Sequence, residues 1–209
     1  VGARSGIFTR AVTQQFKKDC DMVGICDTNQ GRMDFCNQRF APEHPIPTFK
    51  AEEFGKMLRM TRPDIAIVSS VDSTHCDYIC RALKAGCDVI SEKPMTIDAI
   101  SVRKILKTMK SAGRKVTIGF NLRYIPQHEQ LKEILSAGTA GDILSASLSW
   151  KLDVRHGADY FRRWHRQRKF SGSLLIHKAS HHFDMMNWWL DDIPVEVFAH
   201  GSLRFYTPE

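Results

Sequence analysis

A chain of 209 residues has room for one large domain or two modest ones, and 43% hydrophobic with 25% charged residues is the balance of a folded protein rather than a disordered one. No apolar run approaches the roughly 18 residues of a membrane-spanning helix, so no membrane is expected as a partner. A net charge of +7 admits an anionic ligand, but no nucleic-acid-binding module surrounds the densest basic run, RRWHRQRK at 162–169, so no nucleic acid is expected either.

The sequence opens on Val1 inside a turn-like VGARSG, and a strand is expected to precede it. A helical pattern follows at about Phe8 to Lys18. Met22 to Asp27, Ile65 to Ser70, Asp88 to Lys93 and Lys115 to Phe120 are short, nearly continuous apolar runs, the mark of strands covered on both faces. Between them lie helical patterns at Ala51 to Met60, His75 to Ala85 and Ile97 to Ala112, with Gly86 and Gly113 just past two helix ends. Alternation at this spacing predicts βαβ units, a parallel sheet and an α/β domain over residues 1–121. Residues 122–209 read differently. A helix at Gln127 to Gly138 and another at His181 to Leu190 are set between two segments of alternating polarity, Asp142 to Val154 and Val195 to Tyr206. That pattern predicts a second α/β domain with a mainly antiparallel open sheet, expected to be cut short at the C-terminal end.

All six cysteines, Cys20, Cys26, Cys36, Cys76, Cys80 and Cys87, fall in the first half without a CxxC pair. They read as small buried thiols of a reducing, cytoplasmic compartment rather than as a zinc site.

Three places carry chemistry. A glycine turn opening an apolar helix, Gly2-Ala3-Arg4-Ser5, presents backbone N–H groups to a phosphate. Asp27 ends the next strand, 25 residues after Gly2, near the spacing of about 20 at which an acid binds a ribose. Its carboxylate repels a 2′-phosphate, so NAD is expected over NADP, with Arg4 and Arg32 softening the preference. Ser70 and His75 flank the loop that runs beside such a cofactor. Glu92-Lys93-Pro94 then stands where a buried strand ends, and ligands of open parallel sheets bind outside those ends. Lys93 can there polarise a substrate oxygen, and Pro94 fixes the turn, with a cis peptide as one option.

Glu92-Lys93-Pro94 after such a strand, then GFNLRYIP at 119–126, then SGSLLIHKASHHFDMMNWWL at 171–190, resembles the Gfo/Idh/MocA oxidoreductases, glucose-fructose oxidoreductase and inositol dehydrogenase among them. The resemblance covers essentially the whole chain. It implies a Rossmann domain followed by a substrate domain with a large open sheet, through which copies associate as a homo-oligomer. It also implies hydride transfer between NAD or NADP and a sugar, cyclitol or related polyol. On these motifs Lys93 and His181 are the expected catalytic pair, converging on one carbon, with Glu92 and Lys93 also beside the cofactor. Asn121, Arg123 and Asp184 are expected substrate contacts, as is His177, which stands where many relatives carry an aspartate. Tyr160, Arg163 and Trp164 are candidates for sugar stacking and hydrogen bonding. No metal is expected, although His177 and His181 are four residues apart, a possible ligand spacing if one helix runs through both. That departure opens two other readings: redox-assisted glycoside cleavage or epimerisation with bound NAD, and a non-catalytic sensor.

Overall fold

The computed structural model describes residue 2 and residues 4–202, and the chain divides into two compact units, Val1–Gly119 and Phe120–Glu209.

In the first unit, β1 (Ile25–Asp27) pairs in parallel with β2 (Thr48–Lys50). A second parallel sheet has the order β3-β4-β5, from β3 (Ile65–Val68), β4 (Asp88–Glu92) and β5 (Val116–Gly119). Helix α1 (Ser5–Arg10) continues into a π turn, Ala11–Gln15. Helices α2 (Gln30–Phe40), α3 (Phe54–Thr61), α4 (His75–Lys84) and α5 (Ala99–Ala112) follow. Each predicted strand is present, although only the last three residues of Met22 to Asp27 pair. Two elements were not foreseen. In α2 the buried apolar positions are only Met33 and Cys36, too thin a stripe to read as a periodicity. In β2, three residues leave no pattern to count.

Local chemistry sets the helix ends. Asp98 caps α5 by accepting the Ser101 N–H at 2.7 Å, and Gly113 stops it at φ +61°, where a side chain costs energy. The main core joins α4 and α5 to the sheet: Ile79, Leu83, Val89 and Ile105 are completely buried beside Phe54, Leu58 and Val68. Burying each of the large ones stabilises the unit by about 1.5–3 kcal/mol. Cys76, Cys80 and Cys87 are part of this core, and the Thr108 hydroxyl reaches the Cys80 sulfur at 3.5 Å. Burial raises the Cys76 and Cys87 thiol pKa values above their ordinary level.

The second unit is helical among the described residues. A 3-10 turn, Asn121–Tyr124, leads to α6 (Pro126–Ser136), with proline at its first turn where no N–H is missed. Then come α7 (Val154–Arg162), the short α8 (Arg168–Ser171) and α9 (Leu174–His177), and α10 (Ser180–Leu190). Trp189 joins α10 to α6: its indole N–H donates to the His128 carbonyl at 3.1 Å and its ring meets the His128 ring edge-on. Among the described residues the two segments expected as antiparallel strands are unpaired. Residues 142–153 and 195–202 form no ladder, and Val195 and Phe198 are 99% and 93% exposed. A strand exists only by pairing, and no neighbouring strand hydrogen-bonds to either segment among the described residues. Residues 203–206 of the second predicted strand lie outside the described residues. Helix α7 also replaces what the sequence read as a strand end and a loop. Asp153 starts it by accepting the Arg155 N–H through its carboxylate, at 3.2 Å, and the Gly157 N–H through its carbonyl.

Candidate functional site

In the first unit the expected cofactor residues stand where parallel strands end. Asp27 is the last residue of β1, Ser70 lies two past β3, and Glu92 ends β4 with Lys93 next. The opening turn is held to these ends from two sides. A Cβ on Gly2 would stand 2.3 Å from the Ser69 carbonyl oxygen, so only glycine allows that approach. The Arg4 Nε donates to Glu92 Oε1 at 3.3 Å, spanning 88 residues of sequence. Ser5 Oγ donates to the Gly2 carbonyl at 2.7 Å and closes the turn. Ala3, also expected at the cofactor, lies outside the described residues.

Asp27 takes on a turn role. Its Oδ1 accepts the Asn29 N–H at 2.8 Å and the Thr28 hydroxyl at 3.3 Å, with Arg32 at 4.0 Å. Burial opposes its ionisation, yet its pKa lies below the ordinary value, the Asn29 hydrogen bond heading the causes that lower it. A carboxylate accepts at about four positions, so the turn and a ribose are compatible.

Two of the expected cofactor contacts have partners within the fold. Glu92 is 9% exposed, and its carboxylate braces Arg4. His75 is 1% exposed, with Nδ1 at 2.9 Å from the Pro94 carbonyl oxygen and Nε2 at 3.2 Å from that of Ser70. Both ring nitrogens face backbone carbonyls, because His75 and Cys76 at the start of α4 point into the core. The Lys93-Pro94 peptide is cis. Ser70 Oγ is 2.7 Å from the Thr74 hydroxyl.

In the second unit, Arg123 and Asp184 are paired with each other. Arg123 Nε donates to Asp184 Oδ2 at 2.8 Å, and Nη2 donates to Oδ1, a two-pronged pair in which Asp184 is 11% exposed. The Trp188 ring lies under the guanidinium, 5.5 Å from its centre. The hydrogen bond to Asp184 raises the Arg123 pKa against the opposing effect of burial. Both residues were expected at the substrate; their pairing fastens the 3-10 turn to α10. No spacing rule singles out such a pair, 61 residues apart.

His181 is buried, with Phe120 edge-on at 5.9 Å. His177 belongs to a different cluster, where its ring is 5.4 Å from Tyr160, 5.6 Å from Trp164 and 4.6 Å from His165. The helix breaks at Lys178 and Ala179, so the two histidines do not share one helical face. No group of three or more metal-ligating side chains that could hold an ion occurs among the described residues. The ring cluster thus brings together Tyr160, Trp164 and His177, while Asn121 and Arg163 are exposed. An open, mainly apolar recess of about 420 Å³ lies beside α10, walled by Phe120, Ile176, Ser180, Phe183 and Asp184.

Residues 1–120 match the model of an oxidoreductase family with an NAD-binding Rossmann fold, and residues 132–208 match that family's C-terminal alpha/beta domain. YteT of Bacillus subtilis is 39% identical over 203 residues, 97% of this chain and 47% of that protein. An inositol 2-dehydrogenase of Rubrobacter xylanophilus is 28% identical over 151 residues, 69% of this chain and 39% of that protein. The crystal structure of scyllo-inositol dehydrogenase from Lactobacillus casei, with bound NAD(H) and scyllo-inositol, has the same fold at a TM-score of 0.76 and 20% identity, over 91% of this chain and 54% of that one. The chain thus spans about half the length of the relatives it matches. With a dinucleotide-type domain whose strand β4 ends in the Glu92-Lys93-Pro94 turn and both family models matched, the chain belongs to the Gfo/Idh/MocA oxidoreductase family.

Proposed function

We propose that the protein moves a hydride between a nicotinamide dinucleotide and a hydroxyl-bearing carbon of a cyclitol, sugar or related polyol. The observation that carries this is the Glu92-Lys93-Pro94 turn, placed at the carboxyl end of β4 and held there by Arg4 and His75. The residues present fit a dinucleotide: parallel strand ends carry Asp27, Ser70 and Lys93, and the turn at Gly2 approaches backbone as closely as a glycine allows. The names of the relatives support the substrate class.

When bound, the dinucleotide supplies the hydride acceptor. Lys93 donates a hydrogen bond to the substrate oxygen and polarises it, and an imidazole nitrogen of His181 accepts the hydroxyl proton. The carbon gives up a hydride and the oxygen a proton, leaving a carbonyl. Asn121, Tyr160, Trp164, His177 and exposed Arg163 are assigned to the polyol. Asp27 is assigned to the adenosine ribose and favours NAD over NADP. The exposed apolar side chains of 143–150 and 193–198 are assigned to contacts between copies of the full-length protein. Free cysteines and a soluble cofactor favour the cytoplasm.

The test is reduction of NAD and of NADP by the full-length protein across a panel of inositols and aldoses. NAD should be the better acceptor. Lys93→Met and His181→Asn should each lower kcat by about 10²-fold or more while the dinucleotide still binds. Turnover unchanged in Lys93→Met ends this reading.

A further inference from the structure

We propose that His75 is a positioning residue for Lys93: its ring ties the carbonyl of Pro94 to the first turn of α4 and so sets where the lysine stands. This rests on the functional reading above, in which Lys93 acts on the substrate oxygen. The ring is 1% exposed, on the first residue of α4. Its two nitrogens face two carbonyl oxygens, Pro94 at 2.9 Å and Ser70 at 3.2 Å. A carbonyl only accepts, so the ring must donate. A neutral imidazole has one N–H to give, and the shorter contact marks Nδ1 as the donor. Pro94 follows Lys93 directly and is itself buried. A hydrogen bond to its carbonyl therefore holds the backbone one residue from the lysine.

The neighbourhood makes this hold specific. Pro94 has no N–H, so its carbonyl is its only backbone hydrogen-bonding group. On the other side of Lys93, Glu92 is fixed by the β4–β5 ladder and by Arg4. His75 supplies the second anchor. An error of about 1 Å in the placement of a reacting group costs on the order of 10²-fold in rate. The loop end of the ring, at Ser70, continues into a hydroxyl pair, Ser70 Oγ to Thr74 Oγ1 at 2.7 Å, with Thr74 Oγ1 donating to the Val71 carbonyl at 2.6 Å. The loop is thus internally braced at Thr74, and the next residue, His75, reaches from there to the lysine turn.

The two contacts can be separated by substitution. The amide nitrogen of asparagine occupies the position of Nδ1, and that of glutamine approaches the position of Nε2. His75→Asn keeps the donor to Pro94, and His75→Gln keeps only the one toward Ser70. In the full-length protein, kcat is normalised to dinucleotide-binding sites, so misfolded molecules drop out. His75→Asn should stay within about threefold of the parent, and His75→Gln should lose about tenfold or more in kcat with the KM for the dinucleotide unchanged. Equal losses in the two variants, or the reverse ranking, overturn the proposal, since a ring that only fills the core does not care which donor survives. Lys93→Met is measured alongside. If it retains turnover, the functional reading fails; if it is inactive while Asn and Gln behave alike, only the role of His75 fails.

Discussion

Gly2 shows how much one missing side chain can settle. A Cβ there would overlap the Ser69 carbonyl oxygen, a backbone atom that cannot rotate away. Gly2→Ala should therefore push the opening turn off the end of β3, at a cost of about 1–3 kcal/mol. Urea denaturation should show that loss, and fluorescence titration should show weaker dinucleotide binding; an alanine variant with native stability and affinity would mean the turn has room to spare. The sequence pointed to this glycine through a motif, but not to Ser69, because a close approach between residues 67 positions apart leaves no periodic trace. The same limit explains Glu92, His75, Arg123 and Asp184. Their residue types were right for a site, while their partners depend on folding.

At the scale of elements, helices with a wide apolar stripe and short buried strands were legible, and α2 and the unpaired state of 142–153 were not. A strand's alternation states which faces it wants, whereas its existence depends on a neighbour. Helix α10 carries a titratable weak point. His182 lies against Trp150, with ring centres 4.8 Å apart, and its Nε2 is buried without a hydrogen bond. Burial first, and the charge of Lys178 second, lower its pKa below the ordinary 6.5. Folding therefore disfavours the protonated ring. The unfolded chain takes up this proton first as the pH falls, so stability is full above about pH 6.5 and declines as the pH drops through the lower folded value. His182→Gln should flatten that part of the curve of Tm against pH between about 7 and 5, and an unchanged slope would exclude His182 as its source.

At the scale of the whole molecule, burial is unequal. The first unit has a large core cluster around α4, α5 and the sheet and a smaller one at Ile25, Met33, Cys36 and Ile46, whereas among the described residues the buried apolar side chains of the second are Ala158, Tyr160 and Met185. Leu144, Val195 and Phe198 stand almost fully in water. Thermolysin acting on the 209-residue chain should thus cut first within 142–153 or 193–198, leaving residues 20–119 intact, as mass spectrometry of the early fragments would show. First cuts inside α4 or α5 would contradict this order of stability. The ion pair between Arg4 and Glu92 also bears on synthesis. The ribosome delivers the opening turn long before the acid that braces it, since 88 residues separate them. A nascent polypeptide released only as far as α4 has no Glu92 to brace Arg4 and no Pro94 carbonyl for His75. Both braces of the opening turn and of α4 therefore form only once β4 and the turn beyond it have left the exit tunnel.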